Sequence, residues 1–102
     1  MNKNQILSEL GDIPETVYDE LVSEAFEQSG RQLVELRQFV SAGQSRKAVS
    51  VAHSMKGCFA NLRLNEVSHA ASALEAALKN GAQSEEIDAR VSELSVLLRL
   101  QG

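Results

Sequence analysis

With 102 residues, 43% of them hydrophobic and 24% charged, the chain has the composition of one small globular domain, neither disordered nor fibrous. A net charge of −4, with Arg46-Lys47 the only adjacent basic pair, excludes the electrostatic footprint of a nucleic-acid binder. The single cysteine, Cys58, excludes an internal disulfide, and no apolar run is long enough to span a bilayer.

The polar start Met1-Asn2-Lys3-Asn4 lacks the basic and apolar regions of a signal peptide, so a cytoplasmic location is expected. One proline, six glycines and a preponderance of Ala, Leu, Glu, Gln, Arg and Ser favour helix over strand. The expected fold is all-α.

A short first helix is expected over Asn4 to Leu10, ending at Gly11. Asp12-Ile13-Pro14-Glu15 carries start signals for the second: Asp12 as cap, proline in the first turn, and Glu15 against the helix dipole. Tyr18, Val22, Phe26, Leu33, Leu36 and Val40 then keep a seam of three- and four-residue steps to Ala42, where Gly43 stops it. Ser29-Gly30 is a place where this long segment could bend or divide, since glycine costs roughly 1 kcal/mol against alanine in a helix.

A third helix is expected from Gln44 to Leu62. Asn65-Glu66 opens a fourth, with Val67, Ala70, Ala71, Leu74, Ala77 and Leu78 as its apolar stripe and Asn80-Gly81 as its close. Ser84-Glu85-Glu86 starts a fifth, which turns Ile87, Val91, Leu94, Leu97 and Leu98 inward. Links of two to four residues favour antiparallel neighbours. The expected architecture is therefore an up-and-down four-helix bundle with a short extra N-terminal helix, residues 1–102 forming one domain.

The third helix holds the chemistry. At 100° per residue, Ala48, Val51, Ala52, Met55, Cys58, Phe59 and Leu62 gather on one side, centred near Met55. His53 falls about 160° away, so it faces solvent, and Cys58 reads as a small buried hydrophobe. One turn from His53 on either side stand Val49, Ser50, Lys56 and Gly57, with Ala60 a further turn along the same side.

An imidazole offers a nucleophilic nitrogen near neutral pH. Phosphoryl transfer needs chiefly positioning and a cation to compensate the equatorial oxygens, and Lys56 supplies that cation. Gly57 leaves room for an approaching partner, at a cost in helix stability. Val49 and Ala60 put apolar or small surface where a helix usually shows charge, as a docking patch requires. The competing reading of a meaningless surface histidine leaves Gly57 without a reason.

Ala52-His53-Ser54-Met55-Lys56-Gly57, continuing through Ala60-Asn61-Leu62 to Leu74-Glu75, resembles the signature of histidine-containing phosphotransfer (HPt) domains of multistep two-component phosphorelays. Upstream, Phe26-Glu27, Leu33, Leu36 and the Ala42-Gly43 turn are similar to the family layout, so the resemblance covers nearly the whole chain. It implies that His53 is the phosphoacceptor, that Lys56 steadies the phosphoryl group, and that Gly57 admits the partner's active site. Arg46, Val49, Ser50, Gly57 and Ala60 are the expected docking surface.

The implied role is a phosphoryl carrier without kinase activity of its own and without a cofactor. Its implied partners are a hybrid sensor histidine kinase and response-regulator receiver domains, with the carrier itself a monomer. Two departures stand out: Cys58-Phe59 replaces residues that are commonly small, and Arg63 stands where the family usually has glycine. Neither membrane nor nucleic acid is an expected partner.

His69 has no histidine or cysteine three or four residues away, so no metal site is expected there. Asp19, Glu20, Glu24 and Glu27 read as a solvated helix face. No glycine-rich phosphate loop or kinase motif is present. The rival function is an adaptor that docks a signalling partner through the same face and never carries phosphate; pure docking has no need of an imidazole.

Overall fold

The helix stops in this chain repeat one device four times. Gly11, Gly43, Arg63 and Gly81 each follow a helix with a positive φ, between +63° and +88°. Around Gly43, the amide of Gly43 bonds the carbonyl of Val40 and that of Gln44 bonds Phe39. Arg63 and Leu64 do the same to Ala60 and Phe59. Such paired bonds satisfy carbonyls that a helix end leaves bare and turn the chain sharply, a turn that glycine adopts without a Cβ penalty.

Between these stops the computed structural model, which describes residues 2–101 and their side chains as far as residue 99, is helical throughout. Helix α1 spans Lys3–Glu9, α2 Glu15–Ser41, α3 Ser45–Asn61, α4 Asn65–Lys79 and α5 Ser84–Gln101. No strand occurs among the described residues. Met1 and Gly102, the ends of the expected domain, lie outside them.

Three local expectations are corrected. Asp12 does not cap α2: it lies at φ +59°, completing the turn after α1 as its amide bonds the Leu7 carbonyl. Pro14 takes the cap position instead, in extended conformation and with no side-chain hydrogen bond. Helix α1 starts one residue earlier than expected because Asn2 and Gln5 form a reciprocal capping box. Ser29-Gly30 does not divide α2, which runs unbroken for 27 residues.

Helix α3 packs on α4 and α2, and α5 packs on α4 and, less extensively, on α2. At about 1.5 Å per residue, α2 is about 40 Å long, close to the 43 Å long dimension of the molecule. The core between the helices holds Leu36, Ala48, Ala52, Met55, Phe59, Ala71, Leu74 and Leu94, all with no exposed surface. Ala48 and Ala52 of α3 and Ala70 and Ala71 of α4 belong to this core, and small side chains let helix axes approach closely.

The bulkier Phe59 is accommodated against Phe26, ring centroids 5.8 Å apart. Cys58 is half-buried, at the rim of the core rather than inside it. Helix α1 contributes Ile6 to the core and is tied down by Lys3 to Glu15 and Asp19 and by Glu9 to Arg63. No helix among the described residues is long and apolar enough to cross a membrane.

Candidate functional site

Helix α3 contains three basic residues, Arg46, Lys47 and Lys56, and no acidic one. In a chain of net charge −4 its outer face is therefore locally cationic. Ala48, Val51, Ala52, Met55 and Phe59 are buried on its inner side, and the helical period turns His53 outward. The His53 side chain is 65% exposed.

Across the groove, α4 presents a carboxylate where its apolar stripe would continue. Glu75 follows Ala71 by four residues and precedes Leu78 by three, so it shares their inward side, and only 4% of it is exposed. A buried charge needs partners, and Glu75 has three. His53 Nδ1 lies 2.9 Å from Oε2, Lys56 Nζ donates to Oε1 at 2.9 Å, and Lys79 Nζ approaches Oε2 at 3.3 Å.

The Lys56 ammonium, aided by His53 and Lys79, holds the Glu75 carboxyl down at about 2, against the opposing effect of burial. Glu75 is thus an anion at any physiological pH. An ionised carboxylate only accepts hydrogen bonds, so Nδ1 of His53 must be the donor. In the neutral imidazole the lone pair then resides on Nε2.

Other contacts fix the frame around this cluster. The Ser68 hydroxyl of α4 donates to the Lys56 carbonyl at 3.1 Å, which locks the two helices in register beside the site. The buried Tyr18 hydroxyl donates to the Leu62 carbonyl at 2.7 Å, tying α2 to the end of α3. Arg63 holds the αL turn with its own side chain, donating to the carbonyls of Ala60 and Asn61 and to Glu9.

Of the expected surface, Arg46, Val49 and Ser50 line one shallow groove with Ser45 of α3 and Leu78 and Lys79 of α4. Gly57 and Ala60 lie beyond His53, toward the other end of α3. A Cβ at Gly57 would meet nothing within 4 Å, so packing does not require a glycine there. His69 is exposed on α4, apart from this cluster. No group of three or more His, Cys, Asp or Glu residues suited to a metal ion occurs among the described residues.

Sequence reasoning gave Glu75 no role beyond its place in a motif and did not single out Lys79. The available signal was a carboxylate at an inward position of the α4 stripe, with a lysine one turn later.

The family model for the Hpt domain matches residues 20–101. The chain belongs to the Hpt domain family. Searches of curated proteins and of solved structures found no match. Hpt domains carry phosphoryl groups on histidine in phosphorelays, exchange them with response-regulator receivers, and act as carriers rather than kinases.

Proposed function

We infer that the protein accepts a phosphoryl group on Nε2 of His53 from an aspartyl phosphate of one receiver domain and passes it to an aspartate of another. The observation that carries this reading is the pairing of an exposed imidazole with an ionised, buried carboxylate. Glu75 accepts the Nδ1–H hydrogen bond, so the outward nitrogen carries the lone pair and is the nucleophilic one.

In the forward step Nε2 attacks phosphorus, the bond from phosphorus to the aspartyl oxygen breaks, and the aspartate leaves as a carboxylate. The ring keeps its Nδ1 proton and becomes a cation, which Glu75 compensates. Lys56, with three donors and a side chain 34% exposed, can turn toward the phosphoryl oxygens. The receiver supplies the aspartate and its divalent cation; this chain supplies position and charge balance.

The reading includes docking of the receiver over Arg46, Val49, Ser50, Gly57 and Ala60. The cationic, carboxylate-free outer face of α3 suits an acidic partner site, and the open surface at Gly57 admits close approach. It also includes an antiparallel up-and-down arrangement of α2 to α5 in one domain, supported by the short turns between them. A hybrid sensor kinase as donor, a monomeric carrier and a cytoplasmic setting complete it.

The test is incubation with a phosphorylated receiver domain, followed by stability of the labelled product in acid and alkali. A phosphohistidine is acid-labile and alkali-stable, so label with that behaviour supports the carrier. Docking without label supports the adaptor.

A further inference from the structure

The two oxygens of Glu75 are used unequally. Oε1 serves Lys56 alone, whereas Oε2 is shared by His53 Nδ1 at 2.9 Å and Lys79 Nζ at 3.3 Å. We propose that Lys79 is a positioning residue that competes with His53 for this oxygen, weakens the hold on the phosphorylated ring, and so favours onward transfer. The proposal rests on His53 being the phosphoacceptor.

Sharing matters because the ring changes charge during the reaction. While neutral, the imidazole suffers no charge repulsion from the Lys79 ammonium beside it. Once Nε2 bonds phosphorus and Nδ1 keeps its proton, the ring and Lys79 are two cations on one carboxylate oxygen. The phosphoryl oxygens carry their negative charge on the far, solvent-facing Nε2 side, so the ring is the charge nearest Lys79. Repulsion between the ring and Lys79 raises the free energy of the phosphohistidine relative to the aspartyl phosphate. Lys56 bears on the same carboxylate, but it also faces the phosphoryl group, so its substitution mixes two effects. Lys79, at the far end of the cluster and 60% exposed, acts through Glu75.

The other charged groups nearby do not reproduce this effect. Arg46, which lines the same groove as Lys79, has no ion-pair partner among the described residues, and α3 brings no carboxylate to relieve the crowding. A purely structural role for Lys79 is also available, since a pair four residues apart supports a helix modestly. That role changes the stability of α4. It does not change the position of a phosphoryl equilibrium.

The experiment measures the exchange equilibrium between a phosphorylated receiver domain and the full chain, as wild type, Lys79→Gln, Lys79→Arg and Glu75→Gln, and as the Glu75→Gln/Lys79→Gln double variant. Lys79→Gln is expected to shift the equilibrium toward phosphohistidine by roughly two- to fivefold, the span of a partly screened ion pair. The shift should shrink as salt is raised, and Lys79→Arg should restore the wild-type value. In the Glu75→Gln background, removing Lys79 should have a smaller effect, because no carboxylate then holds the Lys79 ammonium beside the ring.

An unchanged equilibrium in Lys79→Gln, a shift toward the receiver, or an equal shift without Glu75 would each overturn the proposal while leaving His53 as the acceptor. Failure of the wild type to take up phosphoryl would overturn the acceptor reading itself, and the proposal with it.

Discussion

Glu75 lies 2.9 Å from Nδ1 of His53 although it is almost wholly buried and His53 is largely exposed. A buried anion thus sets the orientation of a solvent-facing imidazole, and the lysines beside it hold that anion in its charged form. The acid response of the protein follows. Because Lys56, with His53 and Lys79, lowers the Glu75 carboxyl from its ordinary 4.5 to about 2, its pairing stabilises the fold fully above pH 4.5. That stabilisation is lost as the pH falls from 4.5 toward 2. Urea denaturation at a series of pH values should show a steeper loss across this window for wild type than for Glu75→Gln. Parallel curves would contradict the ion-pair account.

Replacing Gly57 by glutamine should move stability and function in opposite directions. Nothing lies within 4 Å of a Cβ there, so the helix gains up to about 1 kcal/mol from losing a glycine. The added side chain stands beside His53 and should weaken receiver binding. Lys56→Ala should instead leave binding largely intact and slow transfer, since it removes charge and adds no bulk. Denaturation midpoints and receiver titrations for the two variants separate these effects.

The turn after α3 makes a prediction about ordering. Arg63 holds φ at +63°, a conformation that costs an ordinary residue about 1 kcal/mol or more. Its side chain offsets this through the Ala60 and Asn61 carbonyls and Glu9. Arg63→Ala keeps the strain and loses the bonds, whereas Arg63→Gly loses both. The alanine variant should therefore be less stable than the glycine variant by about 1 kcal/mol. Chemical denaturation of the pair reads this difference directly.

Phe59, fully buried against Phe26, should be the most sensitive core position on α3. Phe59→Ala should cost about 3–5 kcal/mol, a large part of the stability of a small domain. A loss below about 1 kcal/mol in urea melts would show that the core is not organised around this ring.

Periodicity along one helix made part of this molecule readable without coordinates. The three-and-four spacing of Ala48, Val51, Ala52, Met55 and Phe59 assigns a buried side and, by subtraction, turns His53 to solvent. The glycines at 11, 43 and 81 mark helix ends because that turn chemistry is local. What lay beyond reading depended on how two helices sit against each other. Glu75 reaches His53 and Lys56 through the packing of α4 on α3, with the Ser68 hydroxyl bonded to the Lys56 carbonyl beside them, and neither distance is written in one stripe.

Asp12 illustrates a different limit. Its side chain suits a helix cap, but the αL turn that ends α1 claims its backbone first. Arg63 is the converse, a residue that does not advertise that turn yet adopts it with the help of its own guanidinium. Cys58 falls at the rim because its direction on α3 is toward the edge of the buried side rather than its centre.

The most direct test of the central claim is phosphoryl transfer from a labelled receiver domain to wild type, His53→Gln and His69→Gln, with the product's attachment read by phosphorus and nitrogen NMR. The account predicts acid-labile label on Nε2 of His53 in wild type and in His69→Gln. It predicts none in His53→Gln, which should stay folded because an exposed polar change usually costs under about 0.5 kcal/mol. Label persisting in folded His53→Gln, or attached at Nδ1 in wild type, would contradict it.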